Sequence, residues 1–370
     1  MVRAATAQGT ADYRQQMVAL GIMAEHYRES RDLWFATIGL GSYLGNADDA
    51  TDRQYYLAVQ QALRSGCNVI DTASNYRFQR SERAIGEALA NLFAQGEFQR
   101  EAVIVSTKGG FLPFDGQQPV DLREYVMETF IKPGIFTPDE LVAGCHCLSP
   151  RFIEHQLAQS LKNLRLDTVD IYYLHNPETQ LMELPRPKFY QRLRMAFETL
   201  EKAVTAGKIK YYGTATWNGY RLQPTATDYL GLEKIVEIAT EVAGYDHHFR
   251  VIQLPYNLGM PEAMGVANQQ YKEGVGSVLT VAAALGLTVE VSASILQARL
   301  TAKLPDRVRD CFPGLDTDAQ RAIQFVRSTP GVTTALVGMG RVAHVRENLA
   351  TATVAPLSPK EFEYLFDKEV

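Results

Sequence analysis

From residue 34 nearly to the end, short apolar runs alternate with amphipathic stretches. The runs at 34–38, 68–71, 103–107, 169–174, 209–213, 251–254, 288–291 and 334–337 are rich in Val, Ile, Leu and Tyr and show little in–out alternation. That pattern predicts strands buried on both faces, as in a parallel sheet. Between them, apolar positions recur at helical spacing over 50–64, 82–95, 151–164, 190–206, 231–243, 267–285, 318–328 and 342–350. Local signals agree: "LEKAVTA" ends at Gly207, a helix stop, and "GKIKYYG" then starts a strand.

Eight strand–helix units predict an α/β fold of the (β/α)8 TIM-barrel type, which needs about 250 residues plus insertions. A doubly wound sheet shares the alternation; the count of eight favours the barrel. One barrel domain is expected over 1–370, with its core at about 33–351 and extensions at both ends. "PLSPKEFEYLF" in the C-terminal extension predicts a short capped helix. Two segments, 109–149 and about 176–188, exceed the usual connection of about 2–6 residues. Both follow a strand, so both belong to the C-terminal face, where barrels carry their chemistry.

Composition narrows the setting. The chain has 370 residues, 46% apolar, with a net charge of −5. That balance gives no electrostatic case for nucleic acid or an anionic membrane. The most apolar run, 275–296, is interrupted by Gly286 and Glu290, so no membrane span is expected. Four cysteines are too few for a disulfide framework, and the first residues lack a signal peptide's apolar core. A reducing, cytoplasmic setting is the expectation.

Aligning the strand ends brings out a set of polar residues. The second strand ends at Asp71, with Tyr76 in the loop after it; the third delivers Lys108 and the fourth His175. Taken singly, an Asp at a strand end caps helices and a His is usually a satisfied structural group. Four such residues at three successive strand ends point to joint chemistry. A phenol's reference pKa is about 10, and a neighbouring ammonium favours the phenolate. Asp71 would supply that ammonium's counter-ion, and a neutral imidazole could orient a carbonyl oxygen. Together they make a proton donor aimed at a carbonyl, as hydride transfer to carbon requires.

These residues resemble the Asp–Tyr–Lys–His tetrad of the aldo-keto reductase family. The likeness runs in order through "GLGSYLG", "GCNVIDTASNY", "IVSTK", "VDIYYLHNP", "GKIKYYGTAT", "VIQLPYN", "TTALVGMG" and "HVRENLA", roughly residues 33 to 351. It implies reversible, nicotinamide-dependent reduction of a small carbonyl or sugar substrate, with Tyr76 as general acid and base, tuned by Lys108 and Asp71, and His175 orienting the carbonyl. It also implies cofactor contacts at Gly41, Ser42, Tyr43, Asp71, Thr216 and Gln253, and at Arg341, His344, Glu347 and Asn348 in the 338–348 segment. The sequence departs from the family in three places. Arg77 stands where a glycine usually follows the tyrosine, with one extra residue before Glu82. Ala215-Thr216 replaces the Ser-Asn pair that holds the carboxamide. Ser292 takes the place of an aromatic that stacks on the nicotinamide, leaving Trp217 or Tyr256 to supply that face.

"VGMGRVA" (337–343) fits a dinucleotide fingerprint, but no second strand with an acid follows. It reads better as a loop in which Gly338 and Gly340 present backbone N–H groups to phosphate at the last barrel strand. Arg341 can clamp a ribose phosphate with two hydrogen bonds, and helical spacing puts His344 on its face and turns Arg346 away. NADP is therefore favoured over NAD. "CHC" (145–147) lacks zinc-site spacing and reads as loop, and His247-His248 as a solvated turn. The bulky residues Phe111, Phe114, Phe130, Ile135 and Phe136 either anchor the long loop or wall the substrate pocket; a lid over the barrel mouth is the expectation. Two rival functions stay open: a Schiff-base aldolase using Lys108, and a cofactor-binding regulatory or scaffold protein with vestigial catalysis.

Overall fold

The computed structural model describes residues 4–367. Eight parallel strands close into a barrel in strict chain order. They are β1 (Ile38–Gly41), β2 (Val69–Asp71), β3 (Ile104–Gly109), β4 (Val169–His175), β5 (Ile209–Ala215), β6 (Phe249–Pro255), β7 (Thr288–Ser292) and β8 (Thr334–Gly338). Helices follow each strand: α1 (Asp49–Arg64), α2 (Arg80–Ala94), α3 (Pro150–Leu164), α4 (Arg186–Thr205), α5 (Leu232–Ala243), α6 (Val278–Ala284), α7 (Asp318–Ser328) and α8 (Val342–Leu349). β2 and β3 are buried throughout, which is why they read as unbroken apolar runs. No helix among the described residues is long and apolar enough to cross a membrane.

Two expected elements are corrected. The run at 34–38 is not the first barrel strand. Leu33–Ala36 pairs antiparallel with Tyr27–Ser30, and the barrel strand begins only at Ile38. Arg31 and Asp32 turn this hairpin, both in the left-handed region (φ 53° and 62°) that tight two-residue turns require. The hairpin covers the N-terminal end of the barrel. Asn68, just before β2, donates to Trp34 O and accepts from Ala36 N, and Ser30 Oγ bonds Thr288 Oγ1 at the start of β7. Trp34, Phe35 and Ala36 are thus apolar because they plug the barrel, not because they line it. The stretch 267–285 is helical only from Val278. Before it, Gln269–Tyr271 and Gly274–Gly276 form a small hairpin, and Ser277 caps α6 by accepting from Thr280 N.

A helix at Ala7–Ala19 precedes the barrel, with Thr10, Tyr13 and Met17 buried. Tyr13 OH donates to Leu63 O at the end of α1, and Ala5 N to Asp170 Oδ1 at 2.7 Å. The expected C-terminal helix is present as Pro359–Asp367, started by Ser358 and Glu361, which bond each other's backbone N–H reciprocally.

Candidate active site

The polar residues at the ends of β2, β3 and β4 converge. Lys108 Nζ, fully buried, donates to Asp71 Oδ2 at 2.6 Å, to Thr72 O at 2.8 Å and to Tyr76 OH at 3.2 Å. All three ammonium donors are therefore engaged, one on the phenol. Asp71 Oδ1 accepts from Ser106 Oγ at 3.0 Å and Gln253 Nε2 at 2.9 Å, so with Lys108 the carboxylate is held by three side chains from two strands besides its own, β3 and β6. The Tyr76 ring meets His175 edge-on, with centroids 5.8 Å apart.

Burial sets the charges. It works to depress the Lys108 ammonium, but Asp71 and then Tyr76 outweigh it and leave the group held above its ordinary pKa. Burial likewise raises the Tyr76 phenol; the Lys108 charge pulls the other way without reversing the shift. The phenol is therefore a proton carrier at rest, facing an ammonium that can receive the phenolate. His175 is driven well below its usual pKa by burial, helped by Lys108 and His146, and so is neutral.

His175 is braced from behind. His146 Nε2 donates to His175 O at 2.8 Å while its Nδ1 accepts from Gln180 Nε2 at 2.9 Å, which fixes the tautomer. Gln180 Oε1 in turn accepts from Arg192 at 2.7 Å. His146 is buried and pushed down to about 4 by desolvation. The middle residue of "CHC" is thus a neutral strut. No cluster of potential metal ligands occurs among the described residues.

A cleft of about 1020 Å³ runs from Tyr76 and His175 across the C-terminal face to the start of α8. The expected cofactor set lines it: Gly41, Ser42 and Tyr43 after β1, Asp71, Thr216, Gln253 and Ser292, then Gly338, Gly340, Arg341, His344, Glu347 and Asn348. Arg346 does not line it; it turns toward Gln61 on α1. Ser42 is buried with its hydroxyl on Asp71 O, so its side chain braces β2. Thr216 Oγ1 is buried without a partner at the cleft wall, and Gln253 spends its amide N–H groups on carboxylates, leaving its carbonyl oxygen free of them. A carboxamide, which offers both a donor and an acceptor, fits these two groups.

The sequence profile of the Aldo/keto reductase family matches residues 37–245. The chain belongs to this family. An NADH-specific methylglyoxal reductase of Escherichia coli (strain K12) is 30% identical over 189 residues, a match that spans 50% of this chain and 49% of that one. A probable voltage-gated potassium channel subunit beta of Arabidopsis thaliana is 23% identical over 87% of this chain and 89% of its own. Among solved structures, an aldo/keto reductase from Klebsiella pneumoniae in complex with NADP and acetate is similar in fold. Its TM-score is 0.60 at 22% identity, covering 91% of this chain and 92% of that one.

The departures from the aldo-keto reductase pattern have visible causes. Arg77, Phe78 and Gln79 are three successive left-handed residues (φ 48°, 58° and 68°), a conformation that a glycine would adopt without strain. Arg77 offsets that cost by reaching back to the loop after β1. Its Nε donates to Asn46 O at 2.7 Å, it pairs with Asp52, and its guanidinium lies over the Tyr55 ring. Of the two aromatics expected near the Ser292 gap, Tyr256 is buried, stacked on Phe325 and bonded to Thr329, so it faces away. Trp217 lines the cleft, half-exposed.

The long loop divides in two. Phe111 lines the cleft and packs edge-on against His175 at 5.1 Å. Phe130 and Phe136 instead stack with each other and against Phe152 of α3, forming a small core of their own with Leu112, Val126 and Cys147. Phe114 is bonded to the side, its O accepting from Gln79 and its ring near Phe78 and Tyr125. Most of the loop is therefore a buttress on α3, not a lid. His247-His248 sits at the N-terminal end, His247 buried and His248 on Glu201 at 2.7 Å, which makes the pair structural. Sequence reasoning missed His146, Gln180, Asn75 and Asn176; the last two line the cleft, and only their position just past a strand end could have marked them.

Proposed function

We propose that this chain, read as one barrel domain, uses NADPH to reduce the carbonyl of a small aldehyde, ketone or sugar, and oxidises the matching alcohol or lactol in reverse. The observation that carries this reading is the single ammonium of Lys108 shared between Asp71 and Tyr76. Tyr76 gives its proton to the carbonyl oxygen, and Lys108 stabilises the phenolate left behind. Asp71 keeps Lys108 charged, and neutral His175, beside Tyr76, orients the carbonyl oxygen. Bound NADPH supplies the hydride. Thr216 and Gln253 would hold its carboxamide, the 338–340 glycines its phosphates, and Arg341 the ribose 2′-phosphate. Four free cysteines support a reducing, cytoplasmic setting.

The NADP in the Klebsiella structure supports the cofactor class, while the E. coli relative's name keeps NADH in view. A Schiff-base aldolase needs a neutral lysine, and Lys108 is held charged. The channel-subunit relative favours a second reading, a regulatory protein; the complete tetrad weighs against it. The deciding test follows nicotinamide absorbance with NADPH and NADH against a panel of aldehydes, ketones and sugars. Turnover with at least one carbonyl class is expected, faster with NADPH. Cofactor binding without turnover on any of them would favour the regulatory reading.

A further inference from the structure

β7 carries a carboxylate that this mechanism leaves unused. Glu290 is completely buried inside the barrel. Its Oε2 accepts from Tyr173 OH on β4 at 2.9 Å and lies 3.4 Å from Gln253 Nε2 on β6. The same Gln253 nitrogen donates to Asp71 Oδ1 at 2.9 Å. One amide thus bridges two carboxylates, and one of those two holds the catalytic lysine. The other oxygen of Glu290, Oε1, has no partner. An interior carboxylate with one unsatisfied oxygen is better carrying a proton than a charge.

The groups facing Glu290 are Tyr173 from β4, Asp71 from β2, Lys108 from β3 and Gln253 from β6; its register neighbour on β8 is Thr334. Desolvation, followed by the Asp71 charge, pushes the Glu290 carboxyl up to about 7, with Tyr173, Lys108 and Gln253 opposing. Asp71 is thus flanked by a cation on one side and a titrating acid on the other.

We propose that Glu290 is a positioning residue for the reaction, an interior proton site that acts on Tyr76 through Gln253, Asp71 and Lys108. The proposal rests on Tyr76 being the proton donor. When Glu290 is ionised, a second negative charge stands behind Asp71. That charge favours the Lys108 ammonium and disfavours the Tyr76 phenolate. The phenol then keeps its proton to higher pH, which extends carbonyl reduction toward alkaline conditions. Glu290 also helps to hold the Gln253 amide with its nitrogen inward and its oxygen available to the cleft.

The test is Glu290→Gln, which keeps the volume and an acceptor for Tyr173 but removes the ionisation. Two readouts are needed: the pH profile of kcat/KM for reduction, and the phenolate absorbance of Tyr76, taken as the difference between parent and Tyr76→Phe in each background. The second needs no turnover, so it stands even if the reductase reading fails. The expected result is that the Tyr76 ionisation and the alkaline limb both move down by about half a pH unit or more, and that any inflection near neutrality is lost. Unchanged Tyr76 titration would overturn the proposal. Should Glu290→Gln not fold, Tyr173→Phe removes the hydrogen bond that favours the Glu290 anion. The near-neutral inflection should then move up, and an inflection that stays in place would equally overturn the proposal.

Discussion

The Lys108 ammonium lies 3.2 Å from the Tyr76 hydroxyl, 4.8 Å from the centre of its ring and 2.6 Å from Asp71 Oδ2. An acid, a cation and a counter-ion thus form one line of contacts on two neighbouring strand ends, those of β2 and β3. Breaking that line at Asp71 leaves a buried ammonium without a carboxylate. Asp71→Asn should lower folding stability by about 3–5 kcal/mol, measured by urea denaturation. Lys108 should form no adduct on borohydride trapping with a carbonyl substrate; a trapped adduct would move the assignment to a Schiff-base enzyme.

Arg341 stands at the N-terminus of α8, exposed and facing the cleft. Losing one charge-assisted phosphate contact should cost about 1.5–3 kcal/mol, or roughly 10- to 150-fold in affinity. Arg341→Ala should therefore weaken NADPH binding by that factor and leave NADH nearly unchanged, as read by fluorescence titration. Equal losses for both would take the 2′-phosphate away from Arg341.

The two halves of the long loop should separate by mutation. Phe130→Ala opens the small core against Phe152 and should cost about 3–5 kcal/mol if that core unfolds with the barrel, with KM for the carbonyl little altered. Phe111→Ala should change the order of preferred carbonyl substrates while leaving the midpoint of denaturation close to the parent's. Steady-state kinetics over the substrate panel, beside denaturation curves, checks both.

His146 gives a stability signature with a defined sign. Its folded pKa of about 4 lies below the unfolded value of about 6.5. Between those values the unfolded chain binds more protons, so this residue's contribution is complete above about pH 6.5 and is lost as pH falls toward 4. The parent's stability should fall across that window more steeply than that of His146→Gln, by up to about 1.4 kcal/mol per pH unit. Parallel curves would mean that His146 is not neutral in the folded protein.

The barrel was legible because its strands are buried on both faces and its helices on one, so the period changes at each boundary. The first strand was misread because a plug and a barrel wall are equally apolar; only pairing distinguishes Leu33–Ala36 from Ile38–Gly41. The helix at Ala7–Ala19 went unread because only Thr10, Tyr13 and Met17 of it are buried, too sparse a stripe to stand out. The tetrad was readable because strand ends are rigid addresses. His146, Gln180 and Glu290 were not, since their roles depend on contacts between residues up to 117 positions apart. In the sequence alone, Glu290 stands out only as a break in an apolar run.

The central claim is that Tyr76 is the proton donor and acceptor. Replacing it by Phe leaves the ring edge on His175 and removes only the hydroxyl. Single-turnover reduction of a carbonyl by pre-bound NADPH should slow by roughly 10²–10⁴-fold, while NADPH affinity, titrated on the same preparation, stays within about twofold. A Tyr76→Phe protein that binds NADPH normally and reduces the carbonyl at the parent's rate would contradict the account.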